Sequence, residues 1–159
     1  MPAGATALYA AAAIYCILLF VQVRMVASAG SALYQTLLAA VLLAIYARQL
    51  LRWRGYPNRV QQTVTALFTA AAAITFLMLA PTYAMAPFFL ALANAQSAAE
   101  LPQPSAVAML AYIIIGLWGV IVAAHIYRHA LQGSFWRGLA AALGYEALLL
   151  FVFAILGQL

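Results

Sequence analysis

Charge is what this chain has least of. It has no lysine and no aspartate, and only 6% of its 159 residues are charged. A soluble domain carries roughly 25% charged residues and 45–50% apolar ones. Here 69% are hydrophobic, so a soluble surface cannot be assembled from this composition. Acid is scarcer still, with Glu100 and Glu146 the only carboxylate side chains. That scarcity excludes paired-carboxylate catalysis and acidic metal cages. Cys16 is the single cysteine, which rules out an intrachain disulfide and any CxxC motif. It lies inside an apolar run and is expected to pack as a small apolar group. There is no phosphate loop, dinucleotide fingerprint, zinc motif or serine-histidine-aspartate set. No connection is long enough for a catalytic domain, so the chain reads as non-enzymatic, with no cofactor and no metal.

What remains is long apolar runs rich in Ala and Leu. They lack the alternation of outer-membrane strands, and a helical span needs about 20 apolar residues. The fold class is therefore all-α and integral to the membrane, with 1–159 as one domain. Five spans are expected, at about 7–25, 32–51, 60–80, 106–127 and 138–156. Ser28-Ala29-Gly30-Ser31 is the expected turn between the first two. Segment 81–95 is apolar but carries Pro81 and Pro87, so a kinked or interfacial piece is expected there. Residues 94–105, with Glu100, Pro102 and Pro104, form the longest polar connection. Ala27-Ser28-Ala29 has the look of a signal cleavage site. The preceding apolar run is too long for a signal and lacks a basic start, so it reads as an uncut span.

Seven arginines produce the formal net charge of +5. In a soluble protein that balance suggests nucleic acid. Here the arginines lie between apolar runs and report membrane orientation instead. Arg48, Arg52, Arg54 and Arg59 flank the second connection, Arg128 and Arg137 the fourth, and only Arg24 lies on the other side. Positive charge collects in cytoplasmic loops. The N-terminus is therefore expected in the cytoplasm and the C-terminus outside it, as in a bacterial inner-membrane protein. Trp53, Tyr56, Tyr127, Phe135 and Trp136 are expected to form an interfacial aromatic belt. Arg52, Trp53, Arg54 and Arg59 are candidate contacts for anionic headgroups or a protein partner, although orientation alone accounts for them.

Glu146 stands in the middle of the fifth span, where a charge costs about 2.5–3.5 kcal/mol on insertion scales. It is expected to face other helices, either as a structural acid that locks them together or as a proton- or ion-carrying site. His125 and His129 share a helix face four residues apart. Two histidines do not make a metal site. His125 is expected to pack against the fifth span, with Glu146 several ångströms deeper. Gln22, Gln35, Gln61, Gln62, Thr63, Thr65 and Thr75 are expected to bond between helices, and Gly116, Gly119 and the alanine clusters 10–13, 70–73 and 140–142 to let helices approach.

Two stretches resemble the Yip family of small membrane proteins. One is Arg59-Val60-Gln61-Gln62-Thr63-Val64-Thr65-Ala66-Leu67-Phe68, with Pro81 later. The other runs from Leu117 to Arg137 as a span ending in a basic residue, a Gly turn at Gly133 and the start of a final span. The resemblance implies five spans with the N-terminus inside, and interaction with other membrane proteins rather than catalysis. It implies no catalytic residue. Expected partners are the lipid bilayer and a membrane protein or a second copy of the chain. The alternative is a small transporter or channel component that uses Glu146.

Overall fold

In a computed structural model that describes residues 3–94 and 102–156, the chain is all-helical. The helices are α1 (Ala3–Arg24), α2 (Ala29–Trp53), α3 (Val60–Asn94), α4 (Ala106–Ala130) and α5 (Phe135–Leu156), with a 3-10 turn at Pro57–Arg59 before α3. All five are long and apolar enough to cross a membrane. Glu100 lies outside the described residues, as does most of the polar connection around it.

The helices differ from expectation mainly at their ends. The chain turns before Ser28 rather than through Gly30. The Ser28 hydroxyl accepts the Ser31 N–H at 3.3 Å and caps α2, so Ala29, Gly30 and Ser31 already belong to the helix. The α3 helix continues through Pro81 and Pro87 to Asn94, 35 residues in all. At 1.5 Å per residue that is about 52 Å, well beyond a hydrocarbon core of about 30 Å. Each proline removes one ladder bond, but the helix continues and the extension packs on its neighbours. Thr82 and Met85 are buried, and Phe89 meets Tyr112 of α4 with ring centroids 5.7 Å apart. Residues 81–94 therefore continue the third helix and do not form a separate interfacial one.

The two arginine-flanked turns end alike. After α2, Gly55 adopts φ 81°; its N–H reaches Arg52 O (3.1 Å) and the Tyr56 N–H reaches Leu51 O (2.8 Å). After α4, Gln132 adopts φ 50°, with its N–H toward His129 O (3.4 Å) and the Gly133 N–H on Arg128 O (3.1 Å). Both are Schellman motifs, which close the last helical carbonyls through a left-handed residue. Glycine takes that conformation without penalty, whereas a residue with a Cβ pays roughly 1–2 kcal/mol. Gln132→Gly is therefore expected to raise stability by up to about 1 kcal/mol and Gly55→Ala to lower it by a similar amount. Unfolding midpoints of the two variants in one detergent check the opposite signs.

The α3 helix is central and packs on α1, α2 and α4, while α5 lies along α4. The α2 and α5 helices touch over a short stretch only. The main core joins Tyr15, Leu51, Phe68, Tyr127, Ala142 and Tyr145 with their apolar neighbours. One or two members of each alanine cluster are buried, namely Ala11, Ala72, Ala141 and Ala142. Cys16 is half-buried beside this core.

Candidate functional site

The bundle has a cationic end. The Arg59 Nη1 donates to His129 O at 2.8 Å, tying the second connection to the end of α4. Gly4, Asn58 and Gln61 line one cleft, so α1 starts at this same end. Six arginines (Arg48, Arg52, Arg54, Arg59, Arg128 and Arg137) thus gather at one end of the helices, as the sequence suggests. Arg24 is at the other, where it donates to the Ala27 carbonyl. The only described carboxylate side chain, Glu146, is the twelfth residue of α5. It lies about 16 Å along that helix from its start. No described acid is therefore placed to neutralise the arginine end.

Trp53 and Trp136 are 80% and 74% exposed there, as an interfacial belt requires. Arg54 lies over the Trp53 ring (5.2 Å) and Arg59 over Tyr56 (5.8 Å), so the aromatic groups also hold guanidiniums. Tyr127 departs from the expected belt. It is 1% exposed, inside the core, and meets Tyr46 edge-on at 6.2 Å. Its position on α4 faces the seam of α2 and α5 rather than the lipid.

That seam is held by two tyrosines in reciprocal fashion. Tyr46 of α2 donates to Ala141 O of α5 at 2.8 Å, and Tyr145 of α5 donates to Ala39 O of α2 at 3.2 Å. Their rings lie 5.9 Å apart. Sequence reasoning missed this pair because each tyrosine stands alone in an apolar run. The signal was available in Gly144, where an added Cβ would sit 2.6 Å from the Tyr46 hydroxyl. A glycine there leaves room for a side chain from a neighbouring helix.

On the arginine side of Tyr46 the seam opens into a cleft of about 320 Å³. It is lined by Tyr46, Leu50 and Arg54 from α2, by Tyr56, and by Arg137 and Ala140 from α5. Tyr46, Leu50 and Arg54 are four residues apart and form one helix face. The Schellman turn at Gly55 fixes where Arg54 and Tyr56 leave α2.

Glu146 is not enclosed by the other helices. Its side chain is exposed on the bundle surface and has no hydrogen-bond partner among the described residues. It nevertheless lies within electrostatic range of Tyr15, Tyr127 and Tyr145. The inward face of α5 is taken by Gly138, Ala141, Ala142 and Tyr145, all buried. By the helical period Glu146 lies about 100° from Tyr145 but only about 40° from Ala142, so it stands at the edge of that inward face with its side chain exposed.

The other polar residues divide between bonds across helices and bonds within one. His125 is exposed, bonds Ile121 O at 3.0 Å and stacks against Phe135 of α5 at 5.1 Å, so it does pack on the fifth span. It does not meet Glu146. Gln22 Nε2 donates to Thr82 Oγ1 at 3.0 Å and joins α1 to α3 as expected. Gln35 and Thr65 bond within their own helices, to Ser31 and to Gln61 O, instead of across the bundle. Gly119 meets Ile74 of α3, while Gly116 faces open space and carries no helix contact. Among the described residues no three His, Cys, Asp or Glu side chains are grouped to hold a metal ion.

The class defined by this architecture is the polytopic α-helical membrane protein with one cationic, aromatic-rimmed end. Comparison with family models, with curated proteins and with solved structures finds no match to the chain.

Proposed function

We propose that this chain is a non-enzymatic, Yip-like protein of the bacterial inner membrane that works through contacts with lipids or other membrane proteins. The observation that carries the reading is the end bearing six arginines and no described acid. Charges of one sign that the protein leaves unpaired call for counter-charge from their surroundings, and anionic headgroups supply it at a membrane surface. The positive-inside rule then makes this end cytoplasmic, with the N-terminus inside and the C-terminus outside.

A second reading is favoured by a different observation. Glu146 is an acid halfway along a span, with no hydrogen-bonding partner among the described residues and beside a cluster of tyrosines. Such a group suits a proton- or ion-carrying role. The two readings part in one experiment. The full chain, extracted in mild detergent, is assayed for co-purifying anionic phospholipid or a stoichiometric membrane-protein partner, and then reconstituted in liposomes for proton and cation flux. Retention of lipid or partner with no flux above empty liposomes is expected. Flux that disappears in Glu146→Gln, from a chain that retains neither, would overturn the first reading in favour of the second.

A further inference from the structure

We propose that the cleft between α2 and α5 is a binding site for one anionic phospholipid, its phosphate held between Arg54 and Arg137. This rests on the interaction reading above and assigns that reading a place and a ligand class.

The geometry has three parts. The lining includes two arginines, Arg54 at the cap of α2, its guanidinium over the Trp53 ring, and Arg137 in the first turn of α5. Guanidinium forks bind phosphate oxygens bidentately, and neither of these arginines has a carboxylate partner among the described residues. The start of α5 adds the positive end of its helix dipole at the same place. Beside the arginines, Leu50, Ala140 and the Tyr46 ring give an apolar wall. From Arg54 to Tyr46 is eight residues, about 12 Å along α2. The floor is closed by the bond from Tyr46 to Ala141 O, which spends that hydroxyl.

Size and position select the ligand. A volume of about 320 Å³ lies at the small end of ligand pockets, which suits a headgroup with its glycerol rather than a whole lipid. The cleft lies at the helix ends, where headgroups sit, and Leu50, Leu131 and Ala140 give it an apolar wall beside the arginines. A soluble phosphate would use the arginines and leave that wall wet. A lipid uses both, with its chains lying along the outer side of the loosely joined seam.

The test is a titration of the purified full chain with phosphatidylglycerol, read by native mass spectrometry, with phosphatidylcholine and free glycerol phosphate run in parallel. One phosphatidylglycerol per chain is expected to bind most tightly, with neither other compound competing at the concentrations that saturate the lipid. Arg54→Gln and Arg137→Gln should each weaken that first binding at least about tenfold, the scale of a lost charge-assisted bond. Ala140→Phe, at an exposed position, keeps every charge and fills the cleft, and should weaken it as much. Arg48→Gln and Arg52→Gln, at the same end but outside the cleft, should change it less than about twofold. If wild type holds no anionic lipid, the interaction reading fails as well. If it holds the lipid equally in all five variants, the site proposed here is wrong while that reading stands. Equal competition by glycerol phosphate would overturn the lipid as ligand.

Discussion

Gly138→Ala is expected to destabilise the bundle by about 1–3 kcal/mol, the usual cost of forcing atoms into a packed contact. Gly138 is buried where α5 crosses α4. A Cβ at this position would overlap the Ala124 carbonyl oxygen and lie 2.8 Å from the Arg128 backbone nitrogen. Both obstacles are backbone atoms, so no rotamer change relieves them and the two helices must separate. The separation would also strain the short turn between them and the stacking of His125 on Phe135. Gly138→Val should cost more, because a branched side chain meets the same carbonyl. Gly116→Ala is the control: nothing lies within 4 Å of its added methyl, and alanine's helix propensity should leave it neutral or stabilising by up to about 1 kcal/mol. Thermal unfolding followed by tryptophan fluorescence in detergent compares the three. A Gly138→Ala midpoint equal to wild type would show that α4 and α5 do not cross at this glycine.

Glu146→Leu is expected to leave the fold intact and to make α5 easier to insert by about 2.5–3.5 kcal/mol, the insertion cost of a charge at a helix centre. The acid is exposed and bonds to nothing among the described residues, so its removal leaves no buried partner unsatisfied. Leucine at an exposed position within a span is favourable. Had the carboxylate faced the bundle as its mid-span position suggests, the same change would strand its donors and destabilise the protein. Glu146→Lys keeps the cost, since a cation there also lacks a partner. Membrane insertion of the α5 segment and unfolding of the full chain measure the two effects separately. A clear loss of stability in Glu146→Leu would return this residue to the interior.

Spans were legible because apolar length is a property of the linear sequence. The arginine-rich end was legible for the same reason, since two crossings lie between the second and fourth connections and return the chain to the same side. Which way a side chain points was harder. Glu146 and Tyr145 are adjacent in a uniformly apolar helix, and hydropathy offers no stripe to tell the inner from the outer one. Gly138 holds that information, because only a glycine fits the crossing and the helical period then places Tyr145 inward. Tyr127 misled because tyrosine beside arginine suggests an interface, whereas here the arginine side chain is exposed and the tyrosine is buried. The cleft at Arg54 and Arg137 joins residues 83 positions apart. No local pattern foretells that juxtaposition. At Pro81 and Pro87 the local rule left a kinked extension or a separate interfacial piece, and the helix continues there with contacts to α1 and α4.

A bundle of five membrane-crossing helices puts its second and fourth connections on one side. This arrangement is tested most directly by labelling single cysteines with a membrane-impermeant thiol reagent in right-side-out and inside-out vesicles. With Cys16 replaced by alanine, one cysteine is placed in turn at Asn58, Gln132 and Gln103, all exposed in their connections. Asn58→Cys and Gln132→Cys should react only in inside-out vesicles, and Gln103→Cys only in right-side-out ones. Reaction of all three from the same side would mean that α3 and α4 do not cross the membrane and that the chain is not a five-span bundle.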